Sequence, residues 1–259
     1  MTDCQRYTER RESRRPPGEP IDTRRYEVVE STDDKATRAF VETHHYSASY
    51  PAARFRFHLY ELAELVGVAV FSHPANDAVI TNVFPGEATA GAELGRFVLQ
   101  DRVPGNGETW FLGRCFAKLR GRIRGVVSFS DPTPRTTVHG ATIFPGHLGI
   151  IYQAFNGRYL GRSKADTLRL LPDGSVFSNR AAGKIARGER GWRYAAALLE
   201  RWGAAPLIDG DDALAWLRRW RPLLTRPLRH PGNHRYSWSL VDERPTYGPR
   251  RAYPKARAS

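Results

Sequence analysis

Arg102, Gly105 and Gly107 stand in the stretch RVPGNGET, which passes directly into an apolar-periodic segment. Arg-x-x-Gly-x-Gly ahead of a helix offers phosphate chemistry. Two glycines let the backbone approach an anion closely, the first helical turn presents N–H groups with no intrahelical partner, and an arginine adds charge. Asn106, Glu108 and Thr109 complete that first turn. The competing reading is a plain turn, because short glycine motifs arise often. The flanking pattern of strand, loop, amphipathic helix and apolar strand favours a cofactor-phosphate loop.

A second chemical signal is charge. The 259 residues hold 40 Lys plus Arg against 27 Asp plus Glu, a formal +13, and nearly all of the cations are arginine. That balance points to a polyanionic partner, with nucleic acid the first expectation, which the family resemblance given below narrows to double-stranded DNA. Arg158, Arg162, Lys164, Arg180, Lys184, Arg187, Arg190 and Arg193 crowd one region, and six more arginines without an acid run from Arg218 to Arg235. Trp192, Trp202, Trp216 and Trp220 interleave with them. The expected arrangement is two helices packed by tryptophan with basic outer faces, among which Lys184, Arg187 and Arg190 contact phosphate. An ordinary solvated face would mix both signs.

These groups need a scaffold. YEVVE reads as a strand, and Ser31 or Asp33 can cap a helix over about 34–44. RFRFHLY alternates, with Phe55, Phe57 and Leu59 on one face and Arg54, Arg56 and His58 on the other. LVGVAVF reads as a central strand and ELGRFVLQ as another. Phe111, Leu112, Cys115, Phe116 and Leu119 define an amphipathic helix after the loop. GVVSFSD is a strand ending on Asp131, and Pro-Asp-Gly in LRLLPDGSVF marks a hairpin. Helices over about 190–202 and 211–220 precede a closing strand, HRYSWSLV. The spacing predicts residues 1–25 as a disordered basic arm and 244–259 as a disordered tail. Between them, 26–243 forms one domain with a helical insertion over about 165–232. Cys4 and Cys115 make neither a disulfide framework nor a zinc site, and Cys115 reads as a buried thiol. The longest apolar run is too short to span a bilayer and no secretory signal is present, so the expectation is a soluble cytoplasmic protein with no membrane partner. Its oligomeric state, monomer or dimer, is left open.

The strand–loop–helix–strand pattern resembles the coenzyme-A pyrophosphate loop of the GNAT acyltransferases over roughly 26–160 plus the last strand. That resemblance implies an α/β (α+β) fold whose mixed central sheet splays open beside the loop, with acetyl-CoA or a related CoA thioester in the gap. More narrowly, THHYSASYP, ELGRFVL, ETWFLGRCFAKLR, SFSD, GHLGIIYQAFNGRYLGR and HRYSWSL resemble the Mom family of bacteriophage DNA-modification proteins. The stretch between Asp131 and Tyr152 is longer than that family's. The resemblance implies a transferase that places a carbamoylmethyl group on the exocyclic amine of adenine in DNA and so shields phage DNA from host restriction, acting in the host cytoplasm.

The same resemblance implies iron, with His45, Tyr46, Asp131 and Tyr152 as both catalytic residues and candidate ligands. This His/carboxylate/phenolate mix suits Fe better than Zn. Against it, His45 and Tyr46 could simply end a helix. Asp131 has further support, since ligands bind at strand ends beside a gap in open α/β sheets. Arg96 and Asn156 are expected to orient the base or the cofactor, and Tyr152 or Phe155 to clamp a base flipped out of the duplex. Two alternatives stay open: a GNAT acetyltransferase acting on another amine (a hypermodified base, tRNA or a protein), or a non-catalytic GNAT-like DNA-binding protein.

Overall fold

The computed structural model describes residues 4–9, 11–16, 18–242 and 251–255, and the chain divides into two compact units. Unit 1 comprises residues 1–131, 147–161 and 233–259, and unit 2 comprises 132–146 and 162–232. In chain order, unit 1 opens with β1 (Cys4–Thr8), β2 (Arg11–Arg15), β3 (Tyr26–Glu30), α1 (Asp34–His44), β4 (Ala53–Glu61) and β5 (Glu64–Ser72). It continues with α2 (Ala78–Thr81), β6 (Gly91–Leu99), α3 (Gly107–Leu119) and β7 (Gly125–Ser130). Unit 2 then contributes β8 (Arg135–Thr136) and β9 (Thr142–Phe144), after which α4 (Ile150–Ala154) and β10 (Arg158–Arg162) follow. The rest of unit 2 is β11 (Asp166–Leu170), α5 (Asn179–Arg187), α6 (Trp192–Glu200), α7 (Ala213–Leu224) and β12 (Arg226–His230), before β13 (His234–Ser239) closes unit 1.

A seven-stranded sheet in the order β10-β13-β7-β6-β5-β4-β3 forms the centre of unit 1. β3 to β6 pair antiparallel in succession, β7 pairs antiparallel with β13, and β6 and β7 run parallel. The connection across the parallel pair is the loop and α3, as a parallel pair requires. α3 buries Phe111, Leu112, Cys115, Phe116 and Leu119 on one face of the sheet, with Phe57, Leu59, Phe71, Leu94 and Trp238. Each such side chain stabilises the fold by about 1.5–3 kcal/mol relative to exposure. On the opposite face, Phe40 and Val41 of α1 cover Val68, Val70 and Val98. Because α1 caps this second face, His58 is also buried, where Nε2 meets the Thr37 hydroxyl at 2.8 Å. The alternation of RFRFHLY suggested a solvent face here, and α1 replaces the solvent. Asp33 starts α1 by accepting the Ala36 amide at 2.8 Å.

The parallel pairing is short. Gly91 to Leu94 align with Gly125 to Ser128, and the Ser128 hydroxyl closes the last rung on the Leu94 carbonyl at 2.9 Å. At that point β6 carries a bulge against β5: Val70 aligns with Arg96 and Phe71 with Leu94, leaving Gly95 as the extra residue. A bulge bends and twists its strand. The remainder of β6 therefore leaves β7, which is the splay the GNAT resemblance implies.

Unit 2 has a core of its own, in which Leu171, Phe177, Ile185, Leu199, Leu207, Trp216 and Leu217 are buried and Trp192, Trp202 and Trp220 pack against them. Its helices are the expected pair plus α5, which the sequence reading missed. Ser178 accepts the Ala181 amide at its start and Gly188, at φ 61°, ends it. The insertion expected at about 165–232 thus gains residues 132–146 and becomes a unit rather than an appendage. The Pro-Asp-Gly turn makes the short hairpin expected, with Leu170 bridging Val176 and the Phe177 amide donating to the Arg169 carbonyl at 2.8 Å. The other edge of β11 pairs along its length with β12, some sixty residues on.

Two terminal expectations change. The arm expected to be disordered forms an antiparallel hairpin, β1 with β2, in which Arg6 is buried. Its composition lacks aliphatics, but polar partners fold it. Of the tail, 243–250 and 256–259 lie outside the described residues, while Tyr253 packs against the unit 1 core.

Candidate functional site

Where β6 leaves β7, unit 1 holds a cavity of about 90 Å³. Its walls come from β1 (Gln5, Arg6, Tyr7), the end of α1 (His45, Tyr46), the splayed part of β6, Glu108 of α3, Phe129 of β7, and the segment His147 to Tyr152. That last segment is pinned to β13. The Tyr236 hydroxyl donates to the Leu148 carbonyl at 2.5 Å, and the Trp238 indole donates to the Phe155 carbonyl at 2.8 Å. Gly149 makes the turn possible with φ 70° and close approach to Tyr152 and Tyr236, a conformation that favours glycine.

Three of the four expected catalytic residues therefore meet. His45, Tyr46 and Tyr152 share the cavity, whereas Asp131 ends β7 outside its lining and holds the segment through its backbone, accepting the His147 amide at 2.8 Å. His147 completes the cluster, with Nε2 3.4 Å from the Tyr46 hydroxyl. Sequence reasoning gave it no role although it stood inside the quoted motif GHLGIIYQ. Tyr7 packs against Tyr46 with the rings tilted by 51° and their centroids 4.8 Å apart.

The electrostatics favour neutral groups. Burial, with Arg96 and His147 nearby, holds His45 well below the usual imidazole range, and burial raises the Tyr152 phenol. Ser47 folds back on His45 Nδ1, its hydroxyl at 2.8 Å and its amide at 3.1 Å. Arg96 donates to the Ser49 carbonyl at 2.7 Å and to its hydroxyl at 2.6 Å, and its charge acts on both His45 and Tyr152. Asn156, exposed at φ 55°, sits in the turn that ends α4 and does not line the cavity.

This donor set does not fit iron. A phenol pushed upward by burial is a reluctant phenolate, and the carboxylate is not in the lining. Among the described residues no three His, Cys, Asp or Glu side chains converge as a metal site would require.

The loop is occupied by the chain itself. Arg102 turns away, pairing with Glu61 at 2.8 Å and with Glu64. The Gly105 amide donates to Glu19 Oε2 at 2.7 Å, so a carboxylate oxygen lies where a phosphate oxygen would bind. The Gly107 amide closes the loop on the Pro104 carbonyl at 2.9 Å, and Thr109 donates to the Asn106 carbonyl at 3.1 Å. Glu108 is buried and paired with Arg6. One amide of the loop, that of Gly105 just ahead of α3, thus holds a carboxylate oxygen of the chain itself. Cys115 is buried with its thiol raised by desolvation, as a structural cysteine should be.

A mixed sheet splayed beside a glycine loop, with a polar cavity in the splay, defines a GNAT-like protein. The sequence matches the model of the Mom protein family over residues 26–202, and the chain belongs to that family. No curated protein matches it in sequence. Among solved structures, a tandem GNAT protein from the clavulanic acid biosynthesis pathway is similar at 9% identity and a TM-score of 0.40, covering 84% of this chain and 99% of its own. A Bacillus subtilis acetyltransferase in complex with CoA is similar at 11% identity and a TM-score of 0.31, with the same two coverages. These overlaps are loose, and the fold assignment rests on the sheet itself. Among the described residues no helix is long and apolar enough to cross a membrane.

Proposed function

We propose that this chain is a transferase that modifies the exocyclic amine of adenine in DNA, of the carbamoylmethylation type, and so protects phage DNA from host restriction. The observation that carries the reading is the cavity at the splay, where a Mom-family chain brings His45, Tyr46, His147 and Tyr152 together beside an anion-binding loop. A base acted on in DNA must leave the stack and be read along its edge between aromatic walls. Tyr46, Phe97, Phe129 and Tyr152 supply such walls. His45 and Tyr152, both kept neutral, offer hydrogen bonds to an uncharged heterocycle without a buried charge to offset.

A CoA thioester held at the loop would bring its acyl group beside the base. Simple acyl transfer would give an amide and release the thiol, so the carbamoylmethyl product, joined through a methylene carbon and carrying an amide nitrogen, requires a further donor beside the thioester. The chain's own residues bind, orient and exclude water: loop amides hold phosphate, the aromatic walls hold the base, and Arg96 keeps the Ser49 segment in place. The basic residues of unit 2, Lys184, Arg187 and Arg190 among them, would contact DNA phosphates. No step is assigned to a metal.

Nucleoside mass spectrometry of DNA from cells expressing the chain tests this. A new adenine derivative is expected. Modification only of an amine already present would favour an acetyltransferase on another amine, and an unchanged profile would favour a DNA-binding protein without catalysis.

A further inference from the structure

We propose that the described residues between Gln5 and Glu19 (5–9, 11–16 and 18–19) act as an internal blocking element, holding the phosphate loop and the cavity closed until an anionic cofactor displaces it. The proposal rests on the reading of the loop as the CoA site. Four observations carry it. The buried Arg6 guanidinium donates to the carbonyls of Gln100 at 3.0 Å, Val103, and Pro104 at 2.9 Å, and pairs with Glu108, so one side chain laces the whole loop. Ser13 donates to Asp101 at 2.5 Å. Glu19 takes the Gly105 amide, and Arg15 holds that carboxylate through two bonds, at 3.0 and 2.5 Å. The Pro16 carbonyl lies 2.5 Å from where a Cβ on Gly105 would stand, so the near side of the loop is filled.

The cavity agrees. Its volume of about 90 Å³ is far below the roughly 300–1,000 Å³ of pockets that hold ligands of drug size, and Gln5, Arg6 and Tyr7 form one of its walls. Withdrawing β1 would both open the cavity and free the loop. Among the described residues of the hairpin none belongs to the apolar core of unit 1; Arg6 and Ser13 hold it by polar bonds and Tyr7 by a tilted aromatic pair, contacts that open locally more readily than packed apolar side chains. A pyrophosphate carries more charge than Glu19 and competes for the same amide.

The test uses the full chain, acetyl-CoA as probe, calorimetry for affinity and amide hydrogen exchange for the hairpin. Arg6→Ala would leave Glu108 buried without its cation, so the informative variants are Glu19→Gln and Ser13→Ala, which keep shape. A ligand that must first displace a blocking segment binds more weakly by the closed fraction. Each variant is therefore expected to tighten acetyl-CoA binding by about three- to tenfold, and saturating acetyl-CoA should accelerate exchange at the amides of β1 and β2 in the wild type. Binding with unchanged affinity and a hairpin that stays protected overturns the blocking role while the CoA reading stands. Absence of binding in the wild type and in both variants overturns the CoA reading and the block with it.

Discussion

Ser47 closes on His45 Nδ1 with its hydroxyl at 2.8 Å and its amide at 3.1 Å, holding a buried imidazole at the end of α1. Burial lowers the pKa of this ring in the folded state, with the charges of Arg96 and His147 acting in the same direction. In the unfolded chain the ring titrates near 6.5. Below that pH the unfolded state binds the proton more readily than the folded one, so stability falls as pH drops from about 6.5 toward the depressed folded value. His45→Gln removes the titration. Its thermal midpoint should decline less steeply than the wild type's between about pH 7 and pH 5, while His44 and His58, lowered by burial as well, leave a residual slope. Equal slopes in the two proteins would place the His45 ring in contact with water.

Asp131 offers a cleaner separation than its position suggests. Its link to the cavity segment runs through the backbone carbonyl, which accepts the His147 amide, and Asp131→Asn keeps that carbonyl. The variant should therefore keep the cavity segment in place and retain adenine modification, since the carboxylate lies outside the cavity lining. A loss of modified nucleoside of about 10²-fold or more from Asp131→Asn would instead give the carboxylate a proton to handle.

Gly107 is required by packing before any ligand arrives. A Cβ there would stand 2.4 Å from Val103 Cγ1 and near Leu99, inside the core that α3 closes. Gly107→Ala should cost about 1–3 kcal/mol in denaturant unfolding, the usual cost of overpacking. Adding Val103→Ala makes room, and the double variant should be less destabilised than the sum of the two singles. Strict additivity would mean that the added methyl is absorbed elsewhere. The same geometry makes glycine substitution a poor assay for the cofactor, since both glycines of the loop face the chain's own atoms.

What the sequence disclosed followed from periodicity and local capping. The apolar stripe of α3 and the alternation in β4 each have one buried face dictated by spacing, and Asp33 announces the start of α1. The cavity depended on events that no local pattern carries. Gly95 reads as an ordinary strand glycine until β5 shows it to be a bulge. Arg6 reads as one arginine in a charged, proline-containing stretch, because its partners are carbonyls some ninety-five residues away. His147 stood within a recognisable motif, yet its neighbour Tyr46 arrives from the far side of the sheet sequence. β11 met β12 for the same reason: long-range pairing leaves no mark on either strand.

Unit 2 gives the prediction on DNA its physical scale. Lys184 and Arg187 fall in the last turn of α5 and Arg190 follows it, on a helix whose apolar side buries Ala182 and Ile185 in the tryptophan-lined core. The basic side is therefore dispensable for folding. Each cation that neutralises a DNA phosphate displaces a counterion, and the salt slope of binding counts such contacts at about 0.9 each. Arg187 is already half-committed, since Glu189 pairs with it at 2.5 Å at an exposed position. Replacing Lys184, Arg187 and Arg190 together with Gln should flatten the slope by roughly two units, short of the full three contacts. Binding should weaken alike on all duplex sequences, and modification should fall at subsaturating DNA and recover as DNA is raised, as lost uniform binding requires. An unchanged slope with lost modification would show that these three cations do not touch the phosphates and that α5 serves the reaction in another way.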